Sequence, residues 1–442
     1  MAVGAAEDYA AFGAILTEVV DTGIAEIIPN NCKLQKLRAF KQSSAPQGLK
    51  HVQPTIVRLP GGFSHIRAGT GPAQLNPAKA AKIERAEVVS NSIYLVDMVD
   101  KDMIDRAKGG GGGYNKAAVK QVTAVLMPAL ISSAKREEEI VAMHGQNGRA
   151  KVAKNGSWPS ITTVGVVTQV IVDKTEWAGG IWAGNEGMDL AFFDDATNTF
   201  LAVANLNTVN MDTKGLILDA NITAILTAVA TGPISIWRGS TRTQVNGLPQ
   251  YNESIGLGGI MSNTGILFNI DASKYNLFKS PQYDVLTGRL TLAKILSMSS
   301  RASYNGTDDG AVIFTAPDTW TDLAADETTF RKWESGPTGP IKVGPESLAF
   351  YGASGSMAVM AHPMMKRGYA WMLNISATSK TPGGDIKQIG DSEWKYDDTG
   401  GDVLHYVPGY SGYEIRLRMN KAEYINPPGR SLQAINILDS QP

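Results

Sequence analysis

Five consecutive glycines, Gly109 to Gly113, stand directly before a segment with helical periodicity in the stretch DRAKGGGGGYNKAAVKQV. A glycine-rich loop that leads into a helix N-terminus can bind phosphate through its backbone N–H groups. The phosphate-binding P-loop requires the pattern G-x-x-x-x-G-K-[ST]. Here Tyr114 or Asn115 stands where the second glycine belongs, and Ala117 replaces the hydroxyl residue that would bind Mg²⁺. The run therefore predicts a hinge or adaptable loop at the head of the helix rather than a nucleotide site.

The stretch GASGS, Gly352 to Ser356, approaches the G-x-S-x-G pattern that surrounds the nucleophile of many hydrolases. Ser356 stands where that pattern requires glycine, and His362 follows within a strand-like run. This arrangement is more typical of a sharp turn between two strands. A serine hydrolase that uses Ser354 and His362 is the alternative hypothesis from a different functional class.

Metal and cofactor chemistry finds little support in the residue spacing. None of the five histidines forms an H-x-x-x-H pair or stands beside the single cysteine, so zinc spacing is absent. The acidic stretch DSEWKYDDTGGD lacks the EF-hand pattern for Ca²⁺. We predict no metal, no cofactor and no catalytic residue, and we expect that the chain is not an enzyme.

The composition favours a globular protein without disulfides or membrane spans. Of the 442 residues 43% are hydrophobic and 19% are charged, and a single cysteine excludes an intrachain disulfide. No apolar run approaches the roughly 18 residues that a membrane helix needs. The first 154 residues carry 20 basic and 14 acidic side chains, and the rest carry 21 and 28. The basic excess of the first 154 residues is spread over many positions, with no run of five or more basic residues, so it is a weak indication of nucleic-acid binding.

The elements that would position any site follow a definite order. Residues 5–28 have helical spacing, and the strand-like runs TIVRL and RAEVVSNSIYLV flank a stretch rich in glycine, proline and alanine. That pattern predicts a projecting two-stranded arm with little core of its own. The strongest apolar stripe predicts a helix over about 115–143, and alternating residues between 161 and 237 predict a compact β module.

Beyond residue 250, helical and strand-like segments alternate. TLAKILSMSSRASYNG predicts a helix, AVIFTAP a buried strand and TWTDLAADETTFRKW a second helix, before the tail returns to strands. No convergent set of polar groups accompanies these elements, which favours a structural or assembly protein. An arm without its own core needs a partner, and the simplest partner is another copy of the chain.

The order of arm, long hairpin, long helix and β-rich body resembles that of the HK97-type major capsid proteins of tailed bacteriophages. RAEVVSNSIYLVDMVDKDMIDRA is similar to the strand and short helix that leave their E-loop, and YNKAAVKQVTAVLMPALISSAKREEEIVAMHGQNG resembles their spine helix. GILFNIDASKYNLFKSP and LTLAKILSMSSRASYNGTDDGAVIFTAPDTWTDLA look like the axial domain, and LAFYGASGSMAVMAHPMMKRGYAWML looks like the late strands. The resemblance covers most of residues 5–440 as a pattern of elements.

This resemblance implies an α+β chain with the HK97-like capsid fold and an inserted β-rich domain. The implied parts are an N-terminal arm over 1–48, an E-loop hairpin over 49–92, a peripheral domain over 93–159 with the spine helix at about 115–143, an inserted β domain over 160–245, and an axial domain over 246–442 with strands returning to the peripheral domain.

The implied function is that of a major capsid protein, which self-assembles as hexamers and pentamers into an icosahedral shell around double-stranded phage DNA. The implied partners are further copies, a scaffolding protein, a portal, a decoration or vertex protein, and packaged DNA bound without base-specific contacts, but no membrane. The location would be the virion shell, assembled in the host bacterial cytoplasm. Because no long N-terminal scaffolding segment is evident, we expect a separate scaffolding protein or a mature product. Lys79 and Lys82 lie in the E-loop, but no residue is marked as their partner, so the sequence supports no prediction of covalent cross-links.

The residues expected to contact other subunits lie on the projecting arm and on the second half of the long helix. They are Arg58, His65, Arg67, Lys79, Lys82, Glu84 and Arg85 on the arm, and Lys135, Arg136, Glu137, Glu138 and Glu139 on the helix. The hinge loop comprises Gly109, Gly110, Gly111, Gly112 and Gly113. The nearest alternative is an encapsulin-type nanocompartment shell, which shares the fold, although the β module and the chain length argue against it.

Overall fold

The computed structural model describes residues 32–34, 50–67, 74–101, 116–155, 158–228, 232–262, 264–307, 311–325, 348–353, 355–374, 386–391, 394–396 and 404–440. The predicted glycine hinge and most of the predicted N-terminal arm lie outside these residues. Helices and strands are mixed along the described chain, which confirms the α+β prediction. No helix within the described ranges combines the length and the apolarity needed to cross a membrane.

The hairpin arm consists of two antiparallel strands, Lys50–Arg58 and Lys82–Val89. Exposed and half-buried residues alternate along the first strand, because successive side chains of a strand point to opposite faces. On the inner face Val88 is buried in the main core, and the Glu87 N–H donates to the Phe268 carbonyl at 2.9 Å. The base of the arm is thus anchored, while its outer face and its tip remain exposed.

The long helix extends over Lys116–Met143, close to the predicted bounds. Its 28 residues span about 42 Å at 1.5 Å per residue. The chain leaves the helix at Gly145, whose φ is +39°, and a Cβ there would lie 2.2 Å from the Ser254 carbonyl oxygen. Glycine is therefore required at this turn, which continues as the 3-10 helix Gly145–Asn147.

A seven-stranded sheet, here called the insertion sheet, occupies the region in which the sequence predicts a β module. All its neighbouring strands pair antiparallel. In chain order the strands are Ala150–Lys151, Ile161–Val164, Val167–Ile171, Asp189–Asp194, Thr199–Asn210, Gly215–Leu218 and Ile234–Arg238. The nearby smaller elements are the helices Gly179–Trp182 and Thr223–Thr227, the 3-10 helices Lys174–Glu176 and Gly239–Thr241, and the strand pair Lys154–Asn155 and Trp158–Pro159.

A short hairpin of Arg242–Val245 and Leu248–Tyr251 follows the insertion sheet. Its two turn residues, Asn246 and Gly247, both have positive φ, at 51° and 77°. Asn-Gly is the preferred pair for such a turn, because its twist matches that of the flanking strands.

A six-stranded sheet carries the second hydrophobic core. In spatial order its strands are Gln282–Gly288, Leu432–Ile437, Ala370–Leu373, Ala311–Thr315, Gly355–Ala361 and Leu348–Gly352. The predicted helices appear as Leu292–Ser303 and Pro317–Ala324, and both contribute buried residues to this core. The smaller elements of the region are the helix Gly256–Ser262, the strand pair Ile266–Leu267 and Ile270–Asp271, and the 3-10 helices Asn276–Phe278 and Pro428–Arg430.

The third sheet pairs an early strand of the chain with late ones. Its long strand Gly412–Ile425 pairs antiparallel with Asn91–Asp100, and also with Ile386–Gly390, Lys395–Tyr396 and Leu404–Tyr406. Leu130 of the long helix packs on Ile415 and Leu417 of the long strand. The late strands thus complete the sheet on which the long helix rests.

Candidate functional site

The hairpin arm brings several predicted contact residues together. Arg58 and Lys82 face each other as cross-strand partners. The Lys82 ammonium lies 2.8 Å from the Glu84 carboxylate and donates to the Tyr275 hydroxyl at 2.7 Å. These hydrogen bonds raise the pKa of Lys82 above its ordinary value. Lys82 and Glu84 therefore bind the arm to Tyr275 of its own subunit.

The tip of the arm is exposed and carries both basic and apolar side chains. His65, Arg67, Lys79 and Arg85 are exposed. Single apolar residues on a surface are ordinary, whereas a group on one projection marks an interaction site. Such a group is present on the tip, with the exposed fractions Leu59 77%, Phe63 78% and Leu75 68%.

Three residues of the helical run 135–139, which we expected to contact other subunits, are instead buried within their own subunit. Arg136, Glu138 and Glu139 are only 6%, 8% and 0% exposed. Arg136 donates to the backbone carbonyls of Gly180 and Ala183, and Glu138 pairs with Lys421. The charges are neutralised by partners distant in the sequence, so most of the run binds its own subunit. Lys135 is exposed.

Glu137 belongs to a network of charges, here called the Arg149 cluster, which comprises Glu137, Arg149, Arg238 and Glu253. Arg149 and Glu253 are buried. One guanidinium nitrogen of Arg149 lies 2.8 Å from Glu137 and 2.6 Å from Glu253. Arg238 approaches the second Glu137 oxygen at 2.5 Å. The cluster thereby joins the long helix, the turn that follows it, the insertion sheet and the segment after the short hairpin.

The two carboxylates of the Arg149 cluster differ in their electrostatic surroundings. Burial alone would raise the pKa of Glu137, but the guanidinium groups of Arg149 and Arg238 outweigh it and hold the pKa below its ordinary value. Burial also dominates at Glu253, where the charge of Arg149 opposes it only in part, and the pKa rises to about 7. Glu253 is thus the member of the cluster that titrates near neutrality.

Glu253→Gln should change how stability depends on pH. The folded protein retains a proton at Glu253 up to about pH 7, whereas an unfolded glutamate releases it near 4.5. Between these two pH values the folded state binds more protons than the unfolded state. The free energy of unfolding therefore falls as the pH rises through this range, and Glu253 accounts for up to about 3 kcal/mol of the fall. The glutamine variant should therefore gain stability relative to wild type between about pH 5 and about pH 8.

Urea unfolding followed by circular dichroism over that pH range measures this difference. The matched control is Asp212→Asn, since Asp212 is an exposed carboxylate in a turn of the insertion sheet. Its difference from wild type should not follow the same trend. A Glu253→Gln difference that stays flat or falls with rising pH would contradict the assignment.

Glu139 anchors the described segment of the predicted N-terminal arm. Its carboxylate accepts from the Leu34 N–H at 2.6 Å and lies 3.0 Å from His362 Nε2. Cys32 Sγ donates to the Lys135 carbonyl beside it. Residues 32–34 are therefore fastened to the long helix and to the chain at residue 362.

His362 is in no position to serve a hydrolase. The side chain is 0% exposed, its Nε2 lies against Glu139, and its Nδ1 accepts from the Met364 N–H. Ser354 lies outside the described residues. The flanking strands Leu348–Gly352 and Gly355–Ala361 pair antiparallel around it, which confirms the predicted sharp turn.

Arg149 and Glu253 were not identifiable as a pair from the sequence. Arg149 follows the glycine stop of the helix, and the only available signal was its position 12 residues after Glu137. Glu253 carries no local signal, since it meets Arg149 across 104 residues of chain.

In the described part of the chain, no group of three or more His, Cys, Asp or Glu side chains is placed to hold a metal ion.

Comparison with known proteins identifies the fold. No protein-family model matches the sequence, and no curated protein matches it significantly. The capsid asymmetric unit of cyanophage A-1(L) aligns over 96% of this chain and 97% of its own, with 12% identity and a TM-score of 0.52. At this identity the likeness shows the fold, and the predicted HK97-like capsid fold is confirmed.

Two further solved structures match over nearly the full length at lower scores. The capsid of Myoviridae phage XM1 covers 96% of this chain and 98% of its own, with 5% identity and a TM-score of 0.44. The holo-SrpI encapsulin complex from Synechococcus elongatus covers 98% and 96%, with 8% identity and a TM-score of 0.40.

Proposed function

We propose that this chain is a phage major capsid protein, which self-assembles as hexamers and pentamers into an icosahedral shell around double-stranded DNA. The observation that carries the proposal is the hairpin arm, whose base is buried in its own subunit while its tip exposes Leu59, Phe63 and Leu75. Such a tip is costly to leave in water, and a second subunit would cover it. The shared capsid fold supports the same conclusion.

In this proposal the shell forms through contacts between subunits and involves no chemical step. The arm reaches over a neighbouring copy, and each copy both gives and receives such a contact. Many modest interfaces then combine through multivalency, so the closed shell is far more stable than any single contact. The Arg149 cluster keeps the long helix and the insertion sheet together, so that the arm projects from a rigid body.

The remaining expectations form part of this proposal. A separate scaffolding protein and a portal would direct assembly, a decoration or vertex protein would bind the finished shell, and DNA would be enclosed without base-specific contacts. The chain would reside in the virion after assembly in the host bacterial cytoplasm. The hinge at Gly109–Gly113 would differ between quasi-equivalent copies, because glycine permits the widest range of φ and ψ.

Sedimentation velocity of the purified protein at increasing concentration, with and without its scaffold, tests the proposal. We expect a monomer or capsomer peak to give way to particles of many subunits. A small species that persists at every concentration in both conditions would overturn the proposal. An encapsulin-type shell is the alternative, and nuclease-protected DNA inside particles from the natural source would favour the capsid.

Ser354→Ala should leave assembly and any ester hydrolysis unchanged, because His362, the other residue of the hydrolase hypothesis, is buried against Glu139. Particle yield and the cleavage rate of a p-nitrophenyl ester are the two measurements. Loss of a measurable hydrolytic activity, with assembly intact, would establish the hydrolase alternative instead.

A further inference from the structure

Polar contacts attach the insertion sheet to the rest of the subunit in two separate places. The first, here called the clasp, comprises Glu176, Lys366 and Tyr369. The buried Glu176 carboxylate accepts from the Lys366 ammonium at 2.7 Å and from the Tyr369 hydroxyl at 2.8 Å. The Gly368 N–H also donates to the Thr175 carbonyl at 2.7 Å. Paired charges and a backbone bond therefore join the insertion sheet to the chain that enters the six-stranded sheet.

The Arg149 cluster is the second attachment, at the point where the chain enters and leaves the insertion sheet. Arg149 stands directly before the first strand of the sheet, and Glu253 follows the short hairpin. Beside them the Gln146 N–H donates to the Ser254 carbonyl at 3.1 Å, and the Arg149 N–H donates to the Ile236 carbonyl at 2.8 Å. The long helix, the entering chain and the leaving chain therefore meet at this cluster.

A cavity of about 450 Å³ lies beside the Arg149 cluster. The long helix and the strand Asn91–Asp100 form one wall, and residues 187–189 and 238–241 of the insertion sheet and its adjoining turns form the opposite wall. Close-packed interiors resist relative movement, because their side chains interdigitate with few voids. An open space of this size instead leaves the insertion sheet room to shift against the helix.

Charged and ionisable groups surround Glu253 from every neighbouring element. They are Glu137, Arg149, Arg238, Asp189, Tyr94 and, through Ser254, Glu423. Burial outweighs the charge of Arg149 and raises the pKa of Glu253 to about 7. In the clasp, burial of Glu176 is outweighed by the Lys366 ammonium, so the pKa of that carboxyl lies below its ordinary value. Burial also holds the pKa of His144, at the end of the long helix, well below its ordinary value. Glu253 therefore changes charge near neutrality, whereas Glu176 and His144 do not.

Ionisation of Glu253 is unfavourable while the cluster is closed and favourable once water reaches the carboxylate. A buried charge lacks the hydration that it has in solution, so the ionised form favours a conformation with more water around it. Movement of the cavity walls apart provides such a conformation, because Glu253 lines the cavity. The clasp is not affected in the same way, since Glu176 is already ionised and paired with Lys366 at this pH.

We propose that the Arg149 cluster is a proton-operated joint, in which ionisation of Glu253 loosens the insertion sheet from the long helix while the clasp keeps it attached to the six-stranded sheet. In the protonated form the joint is closed. In the ionised form the two walls of the cavity separate and admit water, and the subunit changes shape without losing its hydrophobic core. The joint is a property of the single subunit, so it does not depend on assembly of a shell.

Spin labels on the two walls of the cavity test this joint in the unassembled, full-length chain. Ser92 and Ser240 are exposed and line opposite walls, so nitroxides are attached to Ser92→Cys and Ser240→Cys, with Cys32→Ser removing the native thiol. Electron paramagnetic resonance gives the distribution of distances between the labels. Because opening shifts the pKa of Glu253 from about 7 toward 4.5, the ratio of long to short distances should rise about 30-fold between about pH 5.5 and about pH 8.5.

Two controls separate this joint from other effects of pH. Glu253→Gln cannot ionise, so its label distances should stay those of the closed form at both pH values. A second label pair, Asp212→Cys with Leu438→Cys, connects exposed positions of the insertion sheet and of the end of the six-stranded sheet, and its distances should stay constant. Distances across the cavity that do not change with pH, or that change equally in the glutamine variant, would overturn the inference. A change at both label pairs would indicate general unfolding and would overturn it as well.

Discussion

Arg149→Ala is expected to lower the free energy of unfolding by about 3–5 kcal/mol. Arg149 is 1% exposed and lies within hydrogen-bonding distance of both Glu137 and Glu253. Its removal would leave two buried carboxylates facing each other, with only Arg238 to compensate one of them. Breaking a buried pair in this way costs far more than the pair contributes, because the remaining charge stays desolvated.

The matched control for Arg149→Ala is Arg238→Ala. Arg238 binds the same Glu137 carboxylate, but its side chain is 38% exposed, so its loss should cost about 1 kcal/mol or less. Urea unfolding of unassembled protein at about pH 8, where Glu253 is ionised, measures both. Equal losses for the two variants would contradict the view that the Arg149 cluster fastens the helix to the insertion sheet.

Removal of the arm tip is expected to abolish assembly while leaving the subunit folded. Arg58 and Lys82 are cross-strand partners, so an Asn-Gly turn can join them in place of residues 59–81. Across residues 59–67 and 74–81, the described parts of the deleted segment, no side chain belongs to a buried core. The far-ultraviolet circular dichroism spectrum and the melting temperature should therefore change little, whereas particle yield should fall to background.

Two point variants test whether assembly depends on the apolar side chains of the tip in particular or on exposed apolar side chains in general. Phe63→Ser removes an arm-tip side chain that is 78% exposed, and Val166→Ser removes one that is 84% exposed on a turn of the insertion sheet. The first should reduce particle yield strongly and the second only slightly. Particles that form normally after tip deletion would show that the arm does not hold the subunits together.

Local patterns in the sequence predicted the elements of the fold well. The apolar stripe placed the long helix at about 115–143, and the structure has it at Lys116–Met143. Helical spacing, an Asn-Gly turn and a proline placed Leu292–Ser303 and Pro317–Ala324 on either side of a buried strand. These signals are local, since caps, turns and periodicity depend on neighbouring residues.

The partners of the charged helical run could not be predicted in the same way. Glu138 meets Lys421 across 283 residues, and Glu139 meets His362 across 223. A run of charges has the same local pattern whether it faces solvent or a set of distant counter-ions. The Arg149 cluster was missed for the same reason, because Arg149 meets Glu253 across 104 residues of chain.

Negative-stain electron microscopy of the purified protein tests the central claim most directly. The account predicts closed, isometric particles for the wild-type chain, alone or with a scaffolding protein, and none for the variant that lacks residues 59–81. Fields of small single subunits at high protein concentration, with and without scaffold, would contradict it.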